Sequence, residues 1–153
     1  MNREHDDVMK RLNEMFIIAQ DLPSNAGAKI FACIYRRNKL IATGWNNNRQ
    51  HPFCLPFQKN EKAESRFHAE THAIFNAIKR VGEDEFRNMT HKTMYIVRAK
   101  KRAAGESEFI YGNSSPCVGC AKALSTYRFE TVYSSIDQTD FGRGYNVFYP
   151  NDW

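Results

Sequence analysis

Apolar residues recur at helical spacing near the start of the chain. Val8, Leu12, Met15 and Phe16 fall on one stripe, so residues from about His5 to Gln20 are expected to form an amphipathic helix, ended by DLPSNAG. The period then changes. KIFACIY and KLIATGW read as strands, and the short polar RRNK between them reads as a hairpin with Asn38 in the turn. The stretch NNNRQHPFCLPFQKNEKAESR, with two prolines and three consecutive asparagines, is the longest expected loop and a candidate wall of a binding site. Helical spacing returns at Glu70, where Ile74, Ala77, Ile78 and Val81 form a stripe and Gly82 supplies a stop.

Beyond a polar interval, TMYIV reads as a buried strand, RAKKRAAGESEFIYGNSS as a long basic loop, PCVGCAKALSTY as a helix and TVYSS as a further strand. The tail FGRGYNVFYPNDW is aromatic and glycine-punctuated, and its pattern does not choose between strand, helix and coil. No internal repeat or low-complexity block interrupts the chain. The order helix, hairpin, helix, strand, helix, strand implies an α/β fold: one mixed sheet with helices on both faces. Within it the hairpin is antiparallel, and strands joined through helices run parallel.

A chain of 153 residues suits one domain, 1–153, with a real core. With 42% hydrophobic and 25% charged residues and no long apolar run, neither disorder nor a membrane span is expected. The opening MNREHDDVMKRLNEMF has no secretory signal pattern, so a cytoplasmic protein with reduced thiols is expected. That leaves Cys33, Cys54, Cys117 and Cys120 as core residues, nucleophiles or metal ligands. The net charge of +5 suits an anionic partner, and a phosphorylated small molecule, a nucleic acid and plain solubility all accommodate it.

The pair Cys117 and Cys120 carries the first chemistry. With Pro116 at the first helical position and Ser114 or Ser115 as cap, both sulfurs lie on one side of the first turn, where the helix dipole favours thiolates. Two such thiolates repel unless a cation lies between them, and zinc fits sulfur and imidazole donors. No second CxxC is present, but His68 opens the other helix. Three protein ligands leave one coordination position open, the arrangement of a catalytic zinc site. Glu70 is two residues from His68, and both can address one spot only beyond the helix end, where a carboxylate can take and deliver a proton. HAE and PCVGC, in this order and each at an expected helix start, match the H-x-E…P-C-x-x-C signature of zinc-dependent nucleobase deaminases.

On GWN (Gly44 to Asn46), HAETHAI (His68 to Ile74), PCVGCAK (Pro116 to Lys122) and VYSS (Val132 to Ser135), the chain resembles the cytidine and deoxycytidylate deaminases, closest to the dCMP deaminase branch. The resemblance covers most of Ile30 to Ser135. It implies a three-layer α/β/α fold around a five-stranded mixed sheet, with zinc held where two helices begin. It also implies hydrolysis of the exocyclic amine of cytosine, with Glu70 passing the proton to N3 and then to departing ammonia. By the same likeness the Ala69 N–H would hold O2 of the base, a carbonyl near Ser115 would accept from the amine, and Asn46 would bond the sugar. Typical dCMP deaminases carry asparagine where this chain has His72, and a glycine and proline pattern where it has NNRQHP.

Other candidates have plainer readings beside them. His72, four after His68, could ligate a metal, but Ala69 stands where an H-E-x-x-H motif needs glutamate, so a packed histidine is the simpler reading. His51 and Cys54 could join a second zinc with His91 or His72, against a plain loop cysteine. Cys33 reads as a small core hydrophobe. Arg49, Arg66 and the run Lys100, Lys101, Arg102 are candidate phosphate ligands, against a solvated basic surface. Trp45 and Phe67 could stack on a base or fill the core.

The expected function is deamination of dCMP to dUMP and ammonia, feeding thymidylate synthesis, with a small nucleotide as substrate, Zn2+ as cofactor and a homo-oligomeric assembly. The alternatives are a deaminase of cytidine, of another small base or of a base in RNA or single-stranded DNA, and a non-catalytic module braced by zinc. Basic and aromatic residues in RAKKRAAGESEFIYGN are segregated, whereas tracking a polymer calls for interleaving.

Overall fold

The protein, seen as a computed structural model, is described for residues 3–23, 29–47, 49–58 and 66–152. Helix α1 (Arg3–Gln20) buries Val8, Leu12, Met15, Phe16 and Ala19, the stripe its spacing predicts. Strands β1 (Lys29–Arg36) and β2 (Lys39–Trp45) form the expected hairpin, with Asn38 in the two-residue turn and Arg37 in the left-handed region at φ 56°. One extra residue in β2, Ile41, lies between the pairs Ile34–Ala42 and Tyr35–Leu40.

The long stretch that follows is not all loop. Pro52–Phe57 winds into a short 3-10 helix, started by His51, whose Nδ1 accepts from the Phe53 N–H. Residues 24–28, 48 and 59–65, which carry parts of DLPSNAG and of this stretch, lie outside the described residues. Helix α2 (Ala69–Val81) starts one residue before its stripe and stops at Gly82, whose φ of 94° admits glycine without strain. The polar interval after it is a further helix, α3 (Glu83–Asn88). Its acidic first turn and buried Phe86 are too short a pattern to register as periodic.

Strand β3 (Lys92–Lys101) is twice the length of its apolar run, and the expected basic loop is largely a hairpin: β4 (Phe109–Gly112) folds back antiparallel on residues 98–101. The misreading has a physical source. Once one edge of β3 is hydrogen-bonded to β1 and the other to β4, backbone pairing carries the strand through Arg98, Lys100 and Lys101, which hydrophobic patterning cannot register. Helix α4 (Val118–Thr126), strand β5 (Thr131–Ser135) and strand β6 (Tyr145–Phe148) complete the order, so the undecided tail contains a strand and ends in a 3-10 turn, Pro150–Asp152.

The sheet runs β2-β1-β3-β5-β6. β5 lies parallel to β3 along residues 93–96, and β4 takes the same edge along 98–101, so six strands fill five positions where five strands were expected. On β3 the side chains alternate. Tyr95, Val97 and Ala99 join the layer under α1, while Met94 and Ile96 face the layer shared with α2 and α4. Each large apolar side chain so buried stabilises the fold by roughly 1.5–3 kcal/mol. The three-layer α/β/α arrangement is therefore the expected one. No helix among the described residues is long and apolar enough to cross a membrane.

Candidate active site

Two helix starts meet on the face opposite α1. α2 comes close to β2 because Gly44 has no side chain: a Cβ there would stand 2.2 Å from Ala73 N and 2.7 Å from Ala69 O. α4 meets the 3-10 helix in the same way, since a Cβ on Gly119 would fall 1.8 Å from the Phe57 carbonyl oxygen. Both glycines are conditions for bringing the two first turns together.

His68 is the N-cap of α2. Its backbone N–H is taken by Thr71 Oγ1 at 3.1 Å, the reach-back half of a capping box, which leaves the imidazole to other partners. α4 begins later than its sequence suggests. Pro116 precedes the helix instead of opening it, and neither Ser114 nor Ser115 is the cap. Cys117 is, in extended backbone, with its Sγ accepting the Cys120 N–H at 3.5 Å. The serines serve elsewhere: Ser114 is buried and its hydroxyl donates to the Ile96 carbonyl at 3.0 Å, while the exposed Ser115 donates its N–H to Asn113 Oδ1. Because the thiol itself closes the helix, no hydroxyl cap is needed.

His68 Nδ1 lies 3.5 Å from Cys117 Sγ and 3.3 Å from Cys120 Sγ, and the three donor atoms all lie within 4.8 Å of one another. Tetrahedral zinc with its usual bond lengths sets imidazole nitrogen and sulfur about 3.6 Å apart, so the donor set fits that ion. Hydrogen bonding between the sulfurs, and from His68, holds the Cys117 thiol far down at about 3, while Cys120 is pushed well above the ordinary range by the same contact and by burial. One negative charge is thus shared across the sulfur pair, and contact with Cys117 raises His68.

Glu70 is 5% exposed in the first turn of α2. Burial raises its carboxyl, opposed by its own backbone N–H, by His68 and by a hydrogen bond with the Cys120 thiol. That contact puts the acid directly against the donor cluster. Ala69 is fully buried as the first residue of α2, and an N–H at that position has no partner within its own helix.

The remaining candidates separate. Asn46 Oδ1 accepts the Ile30 N–H at 2.9 Å and ties the end of β2 to β1. Trp45 packs edge-on to His72 at 4.6 Å, and Phe67 is buried. His72 Nδ1 accepts the Trp45 N–H at 3.1 Å, and Arg49 lies 5.7 Å from the Phe67 ring centre. Arg66 forms an isolated bridge with Gln50, and Lys100 is paired with Asp137 at 3.0 Å. His51 packs on Phe75 at 4.4 Å, Cys54 is buried, and His91 faces Glu130 at 3.4 Å. Among the described residues His68, Cys117 and Cys120 form the one cluster able to hold a metal, so His51 and Cys54 assemble no second one there. Cys33 is a core residue whose thiol is raised by burial to about 12. Arg98, which sequence reading placed in a loop, lies on β3 on the same face as Ile96.

The chain shares its fold with solved structures at low identity. The dCMP deaminase from the cyanophage S-TIM5 in apo form superposes with a TM-score of 0.52 at 16% identity, covering 86% of this chain and 82% of that one. The same cyanophage enzyme in complex with dCMP and dUMP gives a TM-score of 0.46 at 16% identity, covering 86% and 81%. No curated protein matches by sequence. The family model of the cytidine and deoxycytidylate deaminase zinc-binding region matches residues 3–136, a span that contains both helix starts and all three donors. With that model matched over most of the chain and a donor set that fits zinc within the matched span, the chain belongs to the cytidine and deoxycytidylate deaminase zinc-binding family.

Proposed function

We propose that the protein hydrolyses the exocyclic amine of a cytosine nucleotide, converting dCMP and water to dUMP and ammonia. The observation that carries this reading is the buried Glu70 carboxyl set against the His68, Cys117 and Cys120 cluster. A site that only braced a fold would have no use for an acid there. Zinc held by these three residues supplies a Lewis acid that makes water nucleophilic at neutral pH.

Glu70 takes one proton from the attacking water and delivers it to N3 of the ring, then carries the second, from the hydroxyl now on C4, to the amine as the C–N bond breaks, which leaves a C4 carbonyl and ammonia. Its burial favours the protonated acid that the second half of this cycle needs. The Ala69 N–H would orient the base through O2, and the Ser115 carbonyl would receive the amine. Asn46, which ties the end of β2 to β1, would bond the sugar. The likeness of fold to a dCMP deaminase supports the choice of a nucleotide monophosphate. Arg49 and Arg66 are the candidate phosphate ligands of this reading, and Lys100 is engaged by Asp137. Family likeness also favours a homo-oligomer, which light scattering at active concentrations tests.

The deciding experiment measures ammonia release from dCMP, cytidine, dCTP and single-stranded oligonucleotides, with zinc content determined on the same sample. Preference for dCMP supports the reading. Turnover of oligonucleotides alone would move the substrate to a polymer, and absence of turnover by zinc-loaded protein would leave a binding module.

A further inference from the structure

Among the described residues, two buried side-chain polar atoms have no hydrogen-bond partner, Arg98 Nε and Ser134 Oγ. Both lie on the face of the sheet that carries the site. Met94 and Ile96 of β3 point into the layer under α2 and α4, and Arg98 continues that series. Ser134 is the β5 partner of Ile96, two residues beyond Val132 in the same layer. A buried guanidinium nitrogen without an acceptor is disfavoured, so its partner is to be sought on this face.

The neighbours of Arg98 indicate what that partner is. On one side Arg98 pairs with Ile30, whose N–H is held by Asn46. On the other it pairs with Gly112, from which the chain runs through Asn113 and Ser114 into Ser115 and Cys117. Arg98 therefore stands between the two segments that would hold the sugar and the amine. The side chain needs the glycine: a Cβ at position 112 would lie 2.9 Å from Arg98 Cδ and 3.1 Å from Cγ. Ser135 Oγ fixes the Arg98 N–H at 3.1 Å, which steadies the strand beneath it.

The next cation on this face, Lys100, is neutralised by Asp137, and Asp137 is also the acid that feels Arg98 through space. Arg98 itself is half-buried, with its Nε shielded from solvent, and it forms no ion pair among the described residues, so no acid is in direct contact with its charge. A fixed planar fork of donors matches a phosphate better than a lysine does, because two parallel N–H bonds can form at once.

We propose that Arg98 receives the phosphate monoester of the substrate and sets the preference for a nucleotide over a nucleoside. This rests on the deaminase reading above and adds to it a specificity residue on a strand rather than in the substrate loop.

The test compares zinc-loaded wild type, Arg98→Met and Arg98→Lys. Binding of dCMP and of deoxycytidine is followed by calorimetry, and kcat and KM are measured for both. Wild type is expected to bind dCMP at least about ten-fold more tightly than deoxycytidine. Arg98→Met should lose that preference through KM while deoxycytidine is handled as before, and Arg98→Lys should recover part of it. Equal binding of the two ligands by wild type, a preference that survives in Arg98→Met, or an equal loss for both ligands would each overturn the proposal. If Arg98→Met fails to fold or to hold zinc, Arg98→Lys decides, since an undiminished phosphate preference there refutes the paired donor. Arg98-dependent binding of dCMP without deamination would sink the deaminase reading and leave this one standing. Deamination of deoxycytidine and dCMP with equal efficiency and equal affinity would do the reverse.

Discussion

His72 Nδ1 accepts the backbone N–H of Trp45 at 3.1 Å, and this bond is the first of three that seal an open sheet edge. Along the same face of α2, Asn76 Nδ2 donates to the Thr43 carbonyl at 2.8 Å and Arg80 to the Ile41 carbonyl at 2.6 Å. Residues 72, 76 and 80 are spaced one helical turn apart and meet alternate residues of β2, the outermost strand. Backbone groups that could pair with another chain are thereby satisfied by helix side chains. The stripe also fixes α2 on β2, and with it His68 and Glu70.

Replacing His72 with Phe keeps the packing against Trp45 and Phe67 but removes the acceptor. We expect a loss of about 1–3 kcal/mol in chemical denaturation, the cost of stranding a half-buried N–H. Burial holds the His72 ring below its ordinary range, in keeping with a neutral acceptor. Unchanged stability would mean that solvent replaces the bond.

Glu70→Gln keeps the shape of the acid and abolishes its proton transfer. Turnover should fall by about 10²–10⁴-fold or more, with zinc stoichiometry held at the wild-type value by elemental analysis. A variant that keeps both zinc and activity would remove Glu70 from the chemistry.

Gly44→Ala forces a methyl group into the backbone of α2, and Gly119→Ala forces one into Phe57. Each should destabilise by at least about 1–3 kcal/mol, since neither obstacle is a flexible side chain. Gly44→Ala should also lower zinc affinity, because the first turn of α2 carries a ligand. Melting temperature and metal content together check this, and wild-type values for both would contradict the close approach.

In metal-free protein Cys117 is expected to be the fast thiol toward an alkylating reagent, because its thiolate is favoured and it is only half-buried. Cys33, buried with a thiol raised to about 12, should be slow. Zinc should protect Cys117, which peptide mapping after timed alkylation would reveal. Equal labelling with and without zinc would place the metal elsewhere.

Lys92 is fully buried. Its Nζ donates to the Phe86 carbonyl at 2.5 Å and the Arg87 carbonyl at 3.2 Å, closing the end of α3, and it lies 4.5 Å from the Phe86 ring centre. Burial, with Arg128 and Arg87 nearby, lowers it to about 8. The unfolded chain therefore holds more protons than the folded one between pH 8 and about 10.4, so this residue's contribution to stability rises with pH across that window. Relative to Lys92→Met, wild type should gain up to about 3 kcal/mol from pH 8 to 10.4. A constant difference across that range would show that Lys92 titrates normally.

Much was legible without coordinates where one residue type leaves one option. The stripe of Val8, Leu12 and Met15, the KIFACIY and KLIATGW hairpin, and a cysteine pair able to share a metal only with another helix start are of that kind. The misses share a cause. The hairpin of Arg98 to Gly112 exists because β3 offers a pairing edge, and α3 because Phe86 finds a core; neither partner is adjacent in sequence. The polar stripe of His72, Asn76 and Arg80 has the same origin, since its targets are the carbonyls and N–H of a distant strand.

Local chemistry and periodicity in the chain sufficed for the fold class and the metal-donor set, because a thiolate pair and an imidazole at helix starts have few other uses. Only tertiary structure decided the start of α4 at a sulfur cap, the second hairpin, the sealing of β2 and the position of Arg98. Those depend on which backbone groups remain unpaired once the sheet has formed, and that is a property of the assembled sheet, not of any one segment.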